Sequence, residues 1–210
     1  MSVGLVSRET YGADDFARQF DVSRETVAQF QVYADMLCDW QTRMNLVGPA
    51  TLDDIWQRHF ADSAQLLPLG RAPWLDLGAG AGFPGLIIAL LGGGPVDLIE
   101  STGKKTDFLS AVAAATGLEG RVRIHRSRIE DLPLMAPATI VARACASLTQ
   151  LFKWGLRFAS RDTRWVLPKG VRAADEIAAA RMYFAFDHEF VPSLTDASAR
   201  IVVATNVRRR

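Results

Sequence analysis

Up to about residue 70 the apolar positions follow a helical period. Val27, Phe30, Ala34, Leu37 and Met44 recur at that spacing behind Ser23, which is placed to cap the helix. Asp53 and Asp54 follow Thr51, and this pattern predicts a second capped helix over 52–67, ended by Pro68. From Trp74 onward short apolar runs alternate with longer helix-compatible stretches. Strands are expected at 74–77, 96–99, 122–125, 139–142 and 164–168, with helices at 84–91, 104–116, 148–159 and 173–182. Alternation of this kind predicts a parallel sheet with crossover helices on its faces. The end of the chain breaks the rule, because strand candidates 183–191 and 200–205 have no helix between them and should pair antiparallel. The linker 191–199, with Pro192, Ser193 and Thr195, is expected to be a flexible loop.

The junction between the first strand and helix carries the strongest chemical signal. Trp74, Leu75 and Leu77 read as a buried strand with Asp76 near its end, and Gly78, Gly80 and Gly82 precede an apolar run from Leu86 to Leu91. Strand, glycine turn and helix N-terminus together form a cradle in which backbone approaches a ligand closely. Dinucleotides and S-adenosylmethionine are both held this way. Gly80, Gly82 and Gly85 satisfy the dinucleotide pattern G-x-G-x-x-G, and Glu100 lies where that fold places its ribose carboxylate. Three features favour S-adenosylmethionine over NAD. Asp76 suits an ammonium and not a pyrophosphate. Pro84 removes a backbone N–H that a phosphate-binding turn would use. The pair Glu130-Asp131 follows the third strand, where an adenine amino group could be read. The late antiparallel strand also matches the methyltransferase sheet. The expected fold is therefore α/β and Rossmann-like, mostly parallel with an antiparallel C-terminal strand. Residues 1–70 form a helical extension packed on a 71–210 methyltransferase domain, in one globular unit.

Composition narrows the setting. The chain has 210 residues, 49% hydrophobic and 22% charged, with a formal net charge of +1. That is ordinary for a globular protein and argues against a general basic nucleic-acid binder. No long uncharged apolar run suggests a membrane span, no signal peptide is legible, and two distant cysteines, Cys38 and Cys145, make a disulfide framework or metal site unexpected. A cytosolic location is expected. Arg121, Arg123, Arg126 and Arg128 surround His125, and the chain ends in Arg208-Arg209-Arg210, expected to be a frayed, solvated tail.

Several side chains are chemical candidates. Arg58 and Asp62, like His59 and Ser63, are four apart and should meet on a helix face, as an ion pair and a packing histidine or as a substrate-facing group. A serine triad is rejected, since its base must be approached from opposite ring nitrogens. Asn45 sits where the first helix ends. Cys145 could be a nucleophile, but a small buried hydrophobe is the better reading, because only Arg143 stands near enough to depress its pKa. Arg143 and Lys169 follow the fourth and fifth strands, at the edge where open α/β sheets bind ligands, and suggest an anionic substrate such as nucleic acid. The Asn-Pro-Pro-aromatic signature of exocyclic-amine methylation is absent there.

Read together, these segments resemble the bacterial small-subunit ribosomal RNA guanine-N7 methyltransferases, the glucose-inhibited division protein B family. The resemblance is carried by Asn45-Leu46, by Arg58-His59 with Asp62-Ser63, and by the stretch from Asp76 to Gly85. It continues through Glu100-Ser101 with Gly103-Lys104-Lys105 and Phe108-Leu109, then Ser127 to Glu130, Arg143-Ala144 with Ala146-Ser147-Leu148, and Lys169-Gly170. Trp74, the arginine-rich third strand and the first 20 residues look individual to this chain.

The resemblance implies methyl transfer from S-adenosylmethionine to guanine N7 in the decoding region of 16S rRNA, within the small subunit or an assembly intermediate, by a monomer without membrane contact. It places Asp76, Gly78, Gly80, Gly82 and Phe83 at the cofactor, with Glu100, Ser101 and Thr102 at its ribose, and Ile129 and Glu130 at its adenine. Arg143 falls in the same pocket, and Asn45, His59, Arg143 and Lys169 are the candidate catalytic residues. Guanine N7 carries a lone pair at neutral pH, so no general base is required. The competing readings are a methyltransferase of the same fold acting on a small molecule or protein, an NAD-dependent oxidoreductase, and a catalytically inactive RNA-binding module.

Overall fold

A computed structural model describes residues 11–210. Its centre is a seven-stranded sheet of β1 (Trp74–Leu77), β2 (Val96–Glu100), β3 (Val122–Arg126), β4 (Thr139–Val141), β5 (Arg164–Lys169), β6 (Phe184–Pro192) and β7 (Arg200–Arg209). The order across the sheet is β3-β2-β1-β4-β5-β7-β6, with the first five strands parallel and β7 antiparallel to both its neighbours. Chain order reverses between β1 and β4. A crevice therefore opens beyond their carboxyl ends, where such sheets take ligands.

Period-two alternation decides which face each strand residue serves. Leu75, Leu77, Ile140, Trp165 and Leu167 pack into a core beneath α6 (Leu148–Gly155) and α7 (Ala173–Arg181). Val141 and Val166 face the other way, toward α4 (Gly85–Leu90) and α5 (Gly103–Ala115). The N-terminal helices pack on that second face. In α2 (Arg24–Gln41), Phe30, Tyr33, Ala34 and Leu37 are buried at helical spacing, and the Ser23 hydroxyl caps the helix by accepting the Thr26 N–H at 3.2 Å. Met44, expected on the same face, lies beyond the helix end.

Four local departures from the sequence expectations matter. A short helix, α1 (Ala13–Phe20), precedes the first expected one; its buried Phe16 closes an aromatic cluster with Phe30, Trp56 and Phe60. The helix expected over 52–67 is broken into a 3-10 turn (Pro49–Asp54), a π-helical turn (Trp56–Ala61), α3 (Asp62–Ala64) and a second 3-10 turn (Leu67–Leu69). Thr51 does not cap it, because the residue lies inside the first 3-10 turn, where its hydroxyl donates to the Gly48 carbonyl at 2.7 Å. The loop after β6 is tied down: the Leu194 N–H donates to Gln65 Oε1 at 2.7 Å and the Thr195 hydroxyl to Asp62 Oδ1 at 2.7 Å. The arginine tail is strand, with Arg208 and Arg209 paired to Ala185 and Phe184, and the Arg210 N–H bonded to the Tyr183 carbonyl. Backbone pairing holds the tail regardless of its charge.

Among the described residues no helix is long and apolar enough to cross a membrane, and no cluster of three or more His, Cys, Asp or Glu could hold a metal.

Candidate active site

A cleft of about 940 Å³ opens at the crevice between β1 and β4. Its floor is the glycine turn, where Gly78, Gly80 and Gly82 all take left-handed backbone, with φ of 73°, 57° and 94°. The glycines serve different ends. A side chain at Gly80 would meet nothing nearer than the Gly78 carbonyl, at 3.8 Å, so the backbone there is open to a ligand. A side chain at Gly82 would meet the Tyr33 hydroxyl at 2.6 Å, and one at Gly85 would run into Leu98 and Asp76. These two are small because the interior behind the turn is full. The apparent dinucleotide pattern is thus partly a packing requirement.

Asp76, expected to face a bound ammonium, is fully buried behind the turn and absent from the cleft wall. Its Oδ2 accepts the Gly85 N–H at 2.9 Å and pins the start of α4, whereas Oδ1 has no partner among the described residues. Burial pushes its carboxyl up to about 7, against the opposing pull of the Gly85 N–H and Arg143. Glu100 holds the turn from the front: Oε2 accepts the Gly80 N–H at 3.1 Å and Oε1 the Thr102 N–H at 2.7 Å. Each oxygen keeps a second lone pair for ligand hydroxyls. Ser101, Ile129 and Glu130 line the same cleft, and Gly82 and Thr102 do not. An open glycine backbone, a ribose-competent carboxylate and an apolar edge at Ile99 and Ile129 fit S-adenosylmethionine.

The opposite wall is built from a stack of rings. Phe83 lies between Tyr33 and His59, with centroids 5.4 and 4.8 Å away and nearly parallel planes, and the Arg143 guanidinium sits 4.7 Å from its centroid. The Tyr33 hydroxyl donates to the Ala81 carbonyl and so fastens α2 to the glycine turn. Arg143 donates to the Arg58 carbonyl at 2.9 Å, to Asp62 Oδ2 at 3.2 Å and to His59 Nδ1 at 2.7 Å. A guanidinium has no acceptor, so His59 Nδ1 must accept and its proton must reside on Nε2. That Nε2–H meets the Thr51 hydroxyl at 2.7 Å. Burial, with Arg143 and Arg58 nearby, pushes the imidazole down to about 3.

The pairs expected on an α-helix, Arg58 with Asp62 and His59 with Ser63, do not form. The π-helical turn adds a residue to the repeat and moves positions four apart off one face. Asp62 pairs with Arg143 instead, and the Ser63 hydroxyl is buried without a partner among the described residues.

A second cleft, of about 810 Å³, adjoins the first across a shared wall of Arg58, Asp62, Arg143, Ala144 and Cys145. Lys169 lies here and not at the cofactor cleft. Its ammonium pairs with Glu176 at 2.9 Å and donates to the Ala146 carbonyl at 2.9 Å, so both carboxyl-edge cations are already neutralised by carboxylates. Cys145, expected to be a small buried hydrophobe, is exposed as a residue; its thiol donates to the Leu77 carbonyl at 3.2 Å, and partial desolvation pushes it up to about 11. Asn45 stands at the rim of the cofactor cleft, where its Oδ1 accepts from Gln41 Nε2 at 3.2 Å.

Sequence reasoning missed the residues that position these groups: Tyr33, Gln41, Thr51, Gln65, Glu176 and Thr195. Tyr33 is not among the apolar positions from which the first helix is read, although it stands three residues after Phe30 and one before Ala34. Gln41, whose Oε1 accepts the N–H groups of Leu46 and Val47, could have been suspected from its place at the helix end.

The comparisons with known proteins converge on one family. The model of rRNA small subunit methyltransferase G matches residues 26–202. The chain is 44% identical over 196 residues to Ribosomal RNA small subunit methyltransferase G of Methylorubrum extorquens, covering 90% of this chain and 92% of the relative. It is 43% identical over 214 residues to the protein of that name from Rhodospirillum centenum, covering 100% and 98%. Among solved structures, it resembles a SAM-dependent O-methyltransferase of Thermotoga maritima with TM-score 0.54 and 15% identity, over 85% of this chain and 72% of that one. It also resembles a geranyl diphosphate methyltransferase in complex with SAM, with TM-score 0.56 and 15% identity, over 74% and 88%. At such identity the structures speak to the fold alone, which is that of S-adenosylmethionine-dependent methyltransferases. On the extent of the family match and the level of identity, the chain belongs to the rRNA small subunit methyltransferase G family.

Proposed function

We propose that this protein transfers a methyl group from S-adenosylmethionine to N7 of a guanine in the decoding region of 16S rRNA, acting in the cytosol as a monomer on the small subunit or an assembly intermediate. One observation carries the chemistry: the acid–base groups packed beside Arg143, namely His59, Asp62 and Cys145, are already committed. His59 has both nitrogens bonded, Asp62 accepts from Arg143, Gln65 and Thr195, and Cys145 is held as the thiol. None of these three stands ready to deprotonate an amine or hydroxyl. A purine N7 needs none.

Bound S-adenosylmethionine supplies the methyl group on a sulfonium centre. Gly78 and Gly80 give it backbone access, Glu100 takes ribose hydroxyls, and Ile129 with Glu130 borders the adenine. Asp76 and Gly82 act through the turn they hold, and Ser101 and Thr102 through the Glu100 loop. Asn45, His59 and Arg143 position the base, and Lys169 with Glu176 shapes the second cleft. Positive charge develops on the purine during attack, and a bare cation beside it would oppose the reaction. The carboxylates on Arg143 and Lys169 remove that opposition. Alignment can then supply about 7–11 kcal/mol of the barrier reduction.

The test is transfer of labelled methyl to small ribosomal subunits from a strain lacking the gene, followed by borohydride–aniline cleavage of the RNA. Cleavage at a single guanine in the decoding region is expected. Label in RNA without cleavage refutes the N7 assignment, and absence of label with cofactor bound refutes the RNA substrate.

A further inference from the structure

The second cleft is lined by five cations, Arg58, Arg143, Lys169, Arg172 and Arg200, against four carboxylates, Asp62, Asp175, Glu176 and Asp196. Arg143 is paired with Asp62, Lys169 with Glu176, and the Arg200 guanidinium donates to the carbonyls of Ala197 and Ala199 at 2.8 and 2.7 Å. Arg58 and Arg172 also line the cleft, and among the described residues neither side chain makes an ion pair or hydrogen bond. Of the two remaining carboxylates, Asp196 spends Oδ1 on the Ser198 N–H and hydroxyl at 2.8 and 2.6 Å and lies close enough to Arg58 to feel its charge, and Asp175 follows Arg172 by three residues in the first turn of α7. Two guanidinia without a direct hydrogen-bonded partner among the described residues remain, one from the helical extension and one from the start of α7. Between them the cleft offers small apolar surface from Ala144, Ala146, Pro168 and Ile201.

The doorway to the cofactor cleft is strained. Ala144, between Arg143 and Cys145, takes left-handed backbone with φ of 53°, a conformation a residue with a Cβ adopts only when its surroundings impose it. It lines both clefts.

Resting on the RNA-methylation reading, we propose that the second cleft seats the target nucleotide, turned out of its stack, with Arg58 and Arg172 gripping the phosphates that flank it. An enzyme acting on a base must bring that base out of the stack, and the base arrives with its phosphates attached. The apolar floor receives the ring, the two guanidinia receive the backbone, and the Ala144 doorway presents the base to the methyl donor. Guanidinium forks match phosphate oxygens in geometry as well as charge.

The experiment is steady-state methyl transfer to small ribosomal subunits as a function of salt, with S-adenosylmethionine affinity measured separately by calorimetry. Arg58→Ala and Arg172→Ala are compared with wild type and with Arg121→Ala, which removes the same charge beside a different cavity. Each cleft variant should raise KM for subunits about tenfold, as expected for loss of a charged hydrogen bond. The slope of log KM against log salt should fall by about 0.7 for each phosphate of single-stranded RNA that is no longer neutralised. Arg172→Lys should recover part of the KM, Arg172→Ala should keep its cofactor affinity, and Arg121→Ala should match wild type. Equal KM in the Arg121, Arg58 and Arg172 variants overturns the phosphate grip while leaving the methylation reading intact. Weakened cofactor binding by Arg172→Ala overturns it too. Failure of the wild type to methylate RNA overturns both.

Discussion

Arg143 donates to His59 Nδ1 at 2.7 Å, and this one bond fixes the tautomer of the only histidine on the cofactor wall. The imidazole must be neutral, with its proton on Nε2 directed at Thr51. Nitrogen-resolved NMR should show that tautomer unchanged from pH 8 to about pH 5, since burial and two arginines hold the group down to about 3. A titration of His59 centred near the ordinary histidine value would refute the arrangement.

The same depression sets a stability window opposed by that of Asp76. The unfolded chain protonates His59 as pH falls below 6.5 and the native state does not, so this contribution to stability is lost progressively between 6.5 and about 3. Asp76 works the other way. Its native carboxyl keeps a proton up to about 7 while the unfolded one releases it near 3.8, so stability falls as pH rises through that interval. In wild type the two trends partly cancel. Urea denaturation of Asp76→Asn should therefore show stability rising from pH 4.5 to 6.5 more steeply than wild type, by about 1–3 kcal/mol. His59→Gln should show the reverse. Parallel profiles for all three proteins would sink the assignment.

Arg143 serves four partners at once, and lysine cannot. A single ammonium reaching Asp62 would abandon the Arg58 carbonyl, His59 Nδ1 and the face of Phe83. Arg143→Lys and Arg143→Ala should each lower kcat/KM by about 100-fold, equivalent to about 2.7 kcal/mol of transition-state stabilisation. Alanine also leaves the Asp62 carboxylate short of its cation, at a stability cost of about 1–3 kcal/mol. Methyl-transfer kinetics and thermal melts on the same samples separate the two effects. Near-wild-type kcat/KM in the lysine variant would show that charge alone suffices.

Cys145 should prove dispensable. Its thiol, pushed up to about 11, stays protonated at working pH and donates to the Leu77 carbonyl, a role a serine hydroxyl can take over. Cys145→Ser should keep kcat/KM within about threefold of wild type, because one neutral hydrogen bond replaces another. A covalent RNA adduct with wild type, or loss of turnover in the variant with cofactor affinity preserved, would restore the nucleophile reading.

The sheet was legible because its signals are local and redundant. Alternating apolar positions, helical crossovers and a glycine turn each pointed to the same topology, and the strands Trp74–Leu77 and Val96–Glu100 begin where the periodicity places them. The wall around His59 was not. Its geometry depends on a π-helical turn, which no spacing rule distinguishes from an α-helix, and residues four apart were paired on the wrong repeat. Asp76 was aimed at the ligand because proximity to the glycine turn says nothing about which side of it a side chain occupies. The loop after β6 read as flexible from Pro192, Ser193 and Thr195, yet those hydroxyls are what tether it to Asp62 and Gln65, more than a hundred positions away in the chain.

That tether makes Thr195 a positioning residue for the transfer. Its hydroxyl donates to Asp62 Oδ1 at 2.7 Å, and Asp62 Oδ2 in turn accepts from Arg143 at 3.2 Å. Removing the hydroxyl leaves Asp62 Oδ1 with the Gln65 amide alone, at 2.9 Å, and loosens Arg143 on its ring stack, with no loss of any group that lines the cofactor floor. Thr195→Val should therefore lower kcat about tenfold, as a small misplacement of a near-attack geometry does, while S-adenosylmethionine affinity stays close to wild type. Thr195→Ser restores the donor and should recover most of the rate. Equal kcat in the valine and serine variants would place Thr195 among residues that merely hold the loop. Recovery by serine alone would show that a loop hydroxyl, through Asp62, sets the position of the Arg143 guanidinium.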